Sequence, residues 1–404
     1  MSLCKICNQK MEPIMLFGKM PISNRFVSEV NNAEYFYDLS ICFCPGCFMV
    51  QLENCVEPTM MFNEDYAFYS STSEAMSAHF KNIAEEISAA VQGRPSPLVV
   101  ELGCNDGIML KHIAEQGIAH LGIEPSANVA ALARERGVCV IENFFAAESA
   151  GKILGKNGQA DIICGSNVMC HIEEINSVFK GINILLKPDG VFFFEDPYLF
   201  DIIKKNTFDQ IYDEHVYYFC GLSISELAQR HNLQLVDMIP QNVHGGSMRY
   251  YIRKGNNNTV SQNVEHYLLQ ETNLNLHNIN GYIAFKDKVN KICYDFTKTL
   301  REIKSKGHRI AAYGATSKSA TLLNYSKVGP GLIDYVSDTT PVKIGKYTPG
   351  THIPVKSHEH FIADSPPYTV LLAWNHKHEI FNKEKKYRQA GGKFITFFPK
   401  VAIE

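Results

Sequence analysis

From residue 75 to residue 255 the chain alternates apolar runs of strand length with stretches of helical period, and this alternation restricts the fold more than any other feature. Helix AHFKNIAEEISAAV leads to strand LVVELG. Helix IMLKHIAEQ, strand HLGIEP, helix ANVAALARERG, strands VCVIE and ADIICGSN, helix INSVFKGINILL and strand GVFFFEDP follow. Strands that are apolar at nearly every position are covered on both faces, and strands joined by helices lie parallel. The pattern predicts an α/β, mostly parallel, doubly wound sheet. It pauses in an Asn-rich stretch over 256–280, read as a polar connection, and a long helix is expected from about Tyr282 to Lys306. Strand RIAAYGAT, helix KSATLLNYS, strands IDYVSDTT and TVLLAWN, helix KHEIFNKEKKYRQAG and strand KFITFFP then predict a second, smaller unit of the same kind. The expected domains are 1–65, 66–255 and 256–404.

Composition removes several function classes. The net charge of −3 gives no basic excess, so no nucleic-acid surface is expected. Any phosphate site must be built locally from a few groups. No apolar run approaches the roughly 20 residues that span a bilayer, so no membrane partner is expected. MSLCKICNQK lacks the pattern of a secretory signal, and a cytoplasmic protein is expected. In a reducing compartment the 12 Cys are ligands or buried thiols before they are disulfides.

Four of these Cys form two matched hooks, Cys4-Lys5-Ile6-Cys7 and Cys44-Pro45-Gly46-Cys47. Two C-x-x-C knuckles supply the four thiolates that tetrahedral Zn²⁺ takes. All four positions would be filled by protein, so the expected site is closed and structural. Cys42 and Cys55 lie nearby as spares.

VVELGCNDG ends a hydrophobic strand and opens a helix. Its glycines, Gly103 and Gly107, do not make the G-x-G-x-x-G turn that admits a dinucleotide pyrophosphate, which disfavours a nicotinamide oxidoreductase. With Glu101 at the strand end, the turn resembles motif I of the class I S-adenosylmethionine (SAM) methyltransferases, Asn105 replacing the usual middle residue. That resemblance implies an acid at the end of the next strand to hold the ribose hydroxyls. Glu124 stands there, roughly 20 residues on. It also places Asp161 and the Ser166–Asn167 strand end near the cofactor, and it fits the turn LLKPDG before GVFFFEDP. The expected cofactor contacts are Glu101, Gly103, Asn105, Gly107, Glu124 and Asn167.

The order of Cys knuckles, SAM domain, YDEH and AAYGATSK resembles the bacterial nucleotide-sugar C-methyltransferases over nearly the whole chain. DYAFYSSTSE, NVMCHIEEI, IYDEHVYYF, HGGSMRYY and DTTPVKIGKYTPGTHIPV belong to the likeness. It implies methyl transfer from SAM to carbon 3 of a nucleotide-linked 4-keto-6-deoxyhexose, the nucleotide being dTDP or GDP. A carbon beside a ketone attacks a methyl donor only after losing its proton, so a base and donors to the enolate oxygen are needed. His215 suits the base, because imidazole is available neutral near pH 7. Glu214 could orient His215 or act as base itself, Tyr212 could donate to the oxyanion, and His171 is a second acid–base candidate. The family also lines its site with a tyrosine from the segment after the zinc module, here Tyr66 or Tyr69. Asp213 stands where many relatives carry His. O- or N-methylation of another small acceptor is the alternative reading.

In the last third, a strand, a turn at Gly314 and a helix opening near Thr316, Ser317 and Lys318 make an anion site of a helix N-terminus. No G-K-[S/T] motif is present, so an ATPase is disfavoured. This module is expected to hold the substrate's nucleotide diphosphate, with Tyr313 against the base, Asp338 at ribose or base, and Lys346 and Tyr347 around the phosphates. Arg249 is a further phosphate candidate, and Gly245 and Gly246 suggest close backbone approach to sugar or phosphate near His244. One chain carries the motifs of both halves of the site, so a monomer is expected.

Overall fold

A computed structural model of the chain describes residues 2–30, 34–61 and 74–404. Three sheets are built in chain order. The first starts with β1 (Glu12–Pro21), β2 (Phe36–Phe43) and β3 (Val50–Leu52), an antiparallel meander. The two knuckles flank its first two strands.

The second sheet takes β4 (Leu98–Leu102), β5 (Ala119–Ile123), β6 (Val140–Ile141), β7 (Ala160–Ser166) and β8 (Leu186–Pro197), all parallel. Its order, β6-β5-β4-β7-β8, reverses between β4 and β7, which opens the crevice where ligands of such sheets lie. The chain then leaves this sheet. β9 (Tyr217–Tyr218) crosses to become the fourth strand of the first sheet, with Val50 opposite Tyr218. The chain returns through β10 (Leu233–Gln241) and β11 (Ser247–Lys254), a hairpin whose second strand pairs antiparallel with β8. The expected parallel sheet therefore has an antiparallel addition. The pattern also missed the helix Ala147–Asn157, which has few apolar residues.

The third sheet holds β12 (Ile310–Tyr313), β13 (Val336–Asp338), β14 (Val355–Ser357), β15 (Tyr368–Leu371) and β16 (Lys393–Thr396), all parallel, with β17 (Ala402–Ile403) antiparallel at the edge. Its order, β14-β13-β12-β15-β16, again reverses beside its first strand. The helix Asn280–Ser305 leads into it, as the sequence predicts. The Asn-rich stretch is not a bare connection. It forms the helix Gln262–Asn273, whose buried Glu271 accepts from the backbone N–H of Gly221 and Leu222, at 2.7 and 2.9 Å. A carboxylate on those amides closes the N-terminus of the helix Gly221–Arg230, so this segment packs with the second sheet. Among the described residues no helix is long and apolar enough to cross a membrane.

Candidate active site

The two Cys hooks fold alike. Cys4 N–H donates to Gln9 O and Cys44 N–H to Met49 O, and the residue after each second Cys, Asn8 or Phe48, turns left-handed at φ 60° and 58°. The four sulfurs lie within 4.8 Å of one another, with Cys4–Cys47 at 3.5 Å and Cys7–Cys44 at 3.3 Å. Tetrahedral zinc, with Zn–S near 2.3 Å, sets sulfurs about 3.8 Å apart. The cage is of the right size and chemistry, and it holds structural Zn²⁺ with no ligand position left for catalysis.

At the β4 end the turn winds through three positive φ angles, 64° at Gly103, 49° at Asn105 and 76° at Gly107. A Cβ on Gly103 would sit 2.6 Å from Val168 Cγ2, so the turn is sealed against the segment after β7. Glu124 closes it from below: one carboxylate oxygen accepts from Asn105 N–H at 3.0 Å and the other from Ser126 N–H at 2.9 Å. Burial pushes Glu124 up, and those two amides oppose the shift. Glu101 is buried, with one carboxyl oxygen lacking a partner among the described residues. Burial, then the charges of Glu124 and Asp106, push its pKa well above the usual range. A buried orphaned carboxyl beside a glycine turn fits a ligand carrying a cationic amino group, as SAM does. Asn167 follows β7 at φ 52°, its N–H on Glu195 O at 2.8 Å, beside the same turn. Asp161 is a correction: it sits at the opposite, starting end of β7 and pairs with Arg94 and Lys187.

The segment IYDEHVYYF is neither helix nor long strand. It makes a tight turn between the short 3₁₀ helix Phe208–Gln210 and β9. Both flanking modules pin this turn. Thr321 Oγ1 of the third donates to Ile211 O at 2.6 Å, and Leu52 and Ser23 of the first donate their N–H groups to Val216 O at 2.8 Å and Asp213 Oδ1 at 3.1 Å. Tyr212, Asp213, Glu214 and His215 are all buried.

His215 Nδ1 lies 2.9 Å from Gln210 O. A carbonyl only accepts, so Nδ1 carries the proton and Nε2 holds a lone pair. Tyr212 Oη–H donates to that Nε2 at 3.1 Å. The His171 ring stacks on His215 at 5.2 Å between centroids. Burial, then the nearby cationic forms of His171 and Lys318, push His215 well below the usual imidazole range, and burial takes His171 down to about 4. Both rings are neutral at pH 7.

Glu214 has the opposite character. Burial, then the Asp213 carboxylate, push it up to about 8. Its Oε1 accepts from Asn24 Nδ2 at 2.5 Å. A neutral imidazole and a protonated carboxyl thus occupy neighbouring positions of one turn, their environments shifting the two groups in opposite directions. Sequence reasoning missed Asp196, which ends β8 near the same cluster. It is buried and accepts from Cys170 N–H at 3.2 Å, and burial pushes it up to about 8. Its only signal was an acidic pair closing an apolar strand. Tyr66 and Tyr69 lie outside the described residues.

Of the third module's candidates, Thr316, Ser317 and Lys318 come together at the start of the helix Ser317–Tyr325. Thr316 caps it, its Oγ1 accepting from Ser319 N–H at 3.3 Å, and Gly314 turns the strand into it at φ 89°. Lys318 Nζ donates to His244 O at 3.1 Å and stands 5.6 Å above the Trp374 ring. Burial lowers its pKa. Asp338 holds the turn, accepting from Ala315 and Thr340 N–H at 2.6 and 2.7 Å. Lys346 is half-buried, and Tyr347 exchanges backbone hydrogen bonds with Val27 of the first module.

Three expectations fail here. Tyr313 does not face a ligand: it is buried among Phe361 and Phe394, and its hydroxyl donates to Glu384 at 2.8 Å. Arg249 is buried in β11 with its guanidinium on Glu195 and Glu86, at 3.0 and 2.8 Å, so those donors are not available to a phosphate. The glycines after His244 admit protein, not ligand. A Cβ on Gly245 would lie 2.3 Å from the Trp374 ring, and one on Gly246 would lie 2.1 Å from Asp201.

Comparison with known proteins matches three families along the chain. Residues 4–62 match a zinc binding domain family, 76–238 a methyltransferase domain family, and 242–399 a C-methyltransferase C-terminal domain family. The C-methyltransferase NovU of Streptomyces niveus is 31% identical over 404 residues, 99% of this chain and 96% of that one. A ubiquinone biosynthesis O-methyltransferase of Bordetella avium is 30% identical over 114 residues, 27% of this chain and 45% of that one. Among solved structures, a SAM-dependent methyltransferase from Clostridium acetobutylicum aligns at a TM-score of 0.36 with 13% identity, over 46% of this chain and 94% of its own. Magnesium protoporphyrin IX methyltransferase of Synechocystis with bound SAM aligns at 0.34 with 12% identity, over 45% of this chain and 82% of its own.

Proposed function

The chain belongs to the SAM-dependent C-methyltransferases with an N-terminal zinc module, and on that premise we propose that it methylates carbon 3 of a nucleotide-linked 4-keto-6-deoxyhexose through an enolate formed at His215. The observation that carries this reading is the fixed tautomer of His215, with Nδ1–H held by Gln210 O and an unprotonated Nε2. Methylation at oxygen can proceed from a hydroxyl with little help. Methylation at carbon demands a base that is free at neutral pH and a donor for the oxygen that becomes negative.

His215 Nε2 takes the proton from the carbon beside the ketone. The electron pair of that C–H bond moves into the ring carbon–carbon bond, and the ketone oxygen takes the charge. Tyr212 donates to Nε2 in the resting site; it turns to the ketone oxygen as the substrate's carbon takes its place, which frees the lone pair that receives the proton. Glu214, held protonated by burial, donates to the enolate oxygen as a neutral acid. A protonated acid cannot be the base, so of the two candidates His215 is the one we assign. His171, neutral and stacked on His215, keeps the base from gathering a proton from bulk solvent in the resting state. SAM supplies the electrophilic methyl group when bound in the crevice of the second sheet, with Glu124 on its ribose and Glu101 near its amino group. Burial of the turn excludes water that would otherwise quench the enolate.

The nucleotide diphosphate is assigned to the third module. Ser317 and Lys318 offer an anion the positive end of a helix and a cation in one place. The sugar then lies between the two α/β sheets, over Tyr212, Glu214 and His215.

The test is incubation with SAM and dTDP- or GDP-linked 4-keto-6-deoxyhexose, with the product read by carbon–proton correlation NMR. The expected product carries a new methyl on carbon 3, with loss of the proton there. A methyl on oxygen, or no transfer to either substrate by a chain that binds SAM in calorimetry, would overturn the assignment.

A further inference from the structure

One side chain of the zinc module takes part neither in the metal site nor in that module's core. β1 ends at Pro21 and the chain turns through Ile22, Ser23 and Asn24. The Ser23 N–H donates to Asp213 Oδ1 at 3.1 Å, which docks the turn on YDEH. The Asn24 amide then reaches in two directions. Its Nδ2 donates to Glu214 Oε1 at 2.5 Å, and its Oδ1 accepts from Ser317 Oγ at 2.8 Å. A single amide therefore joins the zinc module, the acid–base turn and the first turn of the helix Ser317–Tyr325. These contacts span 190 and 293 positions of sequence.

The chemistry of that junction is directional. An amide nitrogen can only donate, so the Glu214 oxygen facing it must accept. We infer that Asn24 is a positioning residue for C-methylation: it holds Glu214 by Oε1 so that the acid's proton is carried on Oε2, and it ties that orientation to the C-terminal module through Ser317. The inference rests on Glu214 acting as the neutral donor to the enolate. Burial and three groups set the state of Glu214. Burial, then Asp213 on its own turn, disfavour ionisation, whereas Asn24 from the zinc module and Lys343 from the C-terminal module favour it. Lys343 Nζ itself donates to Ala315 O at 2.9 Å and stands 5.0 Å from the Phe26 ring, two residues beyond Asn24. The zinc module thus does more than fold: it presents the residue that aims the acid, and a ligand engaging Ser317 would be felt at Glu214 through one side chain.

Asn24→Ala, Asn24→Asp and Ser317→Ala test this in the full-length, zinc-loaded chain. Carboxyl ¹³C NMR with labelled glutamate, assigned by its loss in Glu214→Gln, follows the Glu214 titration without any substrate. The Glu214 midpoint should rise in Asn24→Ala, since a group favouring the ionised form is gone, and rise further in Asn24→Asp, where a second acid faces it. kcat should fall about 10- to 100-fold in both with KM little changed, as for a misaimed catalytic group. Ser317→Ala, which leaves Asn24 in place, should move both readouts the same way by less. An unmoved midpoint with unchanged kcat would overturn the inference. So would a loss of kcat matched by loss of zinc or of Tm with the midpoint unmoved. If the wild type turns over no ketosugar yet the midpoint moves as stated, the substrate reading fails and the placement of Asn24 stands.

Discussion

Replacing Glu214 by Gln separates two roles that one carboxyl cannot hold at once. With a midpoint of about 8, roughly nine-tenths of the molecules carry the Glu214 proton at pH 7 and roughly one-tenth at pH 9. If the protonated form donates to the enolate oxygen, kcat/KM of the wild type falls about tenfold between those values. Gln keeps an oxygen to accept from Asn24 Nδ2 and offers an N–H on the other side. It is a weaker donor than a carboxylic acid but does not ionise. Glu214→Gln should therefore keep activity to within about tenfold at pH 7, less than the loss on deleting an oxyanion donor outright, and lose the alkaline decline. The assay is the initial rate of S-adenosylhomocysteine formation across pH 7 to 9 with the sugar well below its KM, where the rate reports the free enzyme. If Glu214 were the base, Gln would abolish the reaction at every pH, by the factor of about 10² to 10⁴ expected for a lost general base. That result, or an alkaline limb near 8 that survives in Glu214→Gln, refutes the reasoning.

Other consequences follow from the same geometry. One zinc per chain is expected by elemental analysis, and its removal by a chelator should lower both Tm and activity, because β9, which directly follows the turn Tyr212–His215, is a strand of the zinc module's sheet. Glu124→Gln should weaken SAM binding at least about tenfold in calorimetry, because the amide has one oxygen for the two backbone N–H groups, of Asn105 and Ser126, that the carboxylate accepts from, and any ribose contact proposed for Glu124 loses its charge. Stability should fall as pH rises from about 6.5 to about 8. Asp196 is pushed up to about 8 in the folded chain, so the stability its proton confers is full below the unfolded carboxylate range and is lost as pH climbs through 8. Each such carboxyl contributes about 1.4 kcal/mol per pH unit, and Glu214, also pushed up to about 8, adds its own slope over the same range. The buried imidazoles act in the opposite sense, but only below about pH 6.5. Thermal melts of the wild type and Asp196→Asn check this: the variant should show the shallower slope.

Much of the architecture was legible because it was local. Apolar strands joined by amphipathic helices announce a parallel sheet wherever they occur, and a pair of C-x-x-C hooks announces its metal. The glycine turn and Glu124 were legible for the same reason: a positive φ and a strand-end acid at fixed spacing are features of one short segment. What stayed hidden depends on contacts remote in sequence. Nothing about Ser23 or Asn24 marks them locally, since their partners Asp213, Glu214 and Ser317 lie far along the chain. Expectations about which polar groups face a ligand fail for the same reason. Tyr313 and Arg249 carry the right chemistry for a nucleotide and a phosphate, but Glu384 and Glu195 take their polar ends. Gly245 and Gly246 did signal close approach, yet the approaching groups are Trp374 and Asp201. The hairpin of β10 and β11 was lost because β11 follows β10 through a turn with no helix between them, which breaks the strand–helix alternation that marks the parallel strands.

The most direct measurement is exchange of the hydrogen beside the ketone with solvent deuterium. The chain is incubated in D₂O with a dTDP- or GDP-linked 4-keto-6-deoxyhexose and S-adenosylhomocysteine, which occupies the cofactor site but cannot give a methyl. Proton NMR should show the carbon 3 signal fading with the wild type and persisting with His215→Ala. Exchange that continues unchanged in His215→Ala, or that is absent in a wild type which methylates the same sugar, would contradict the assignment of the base.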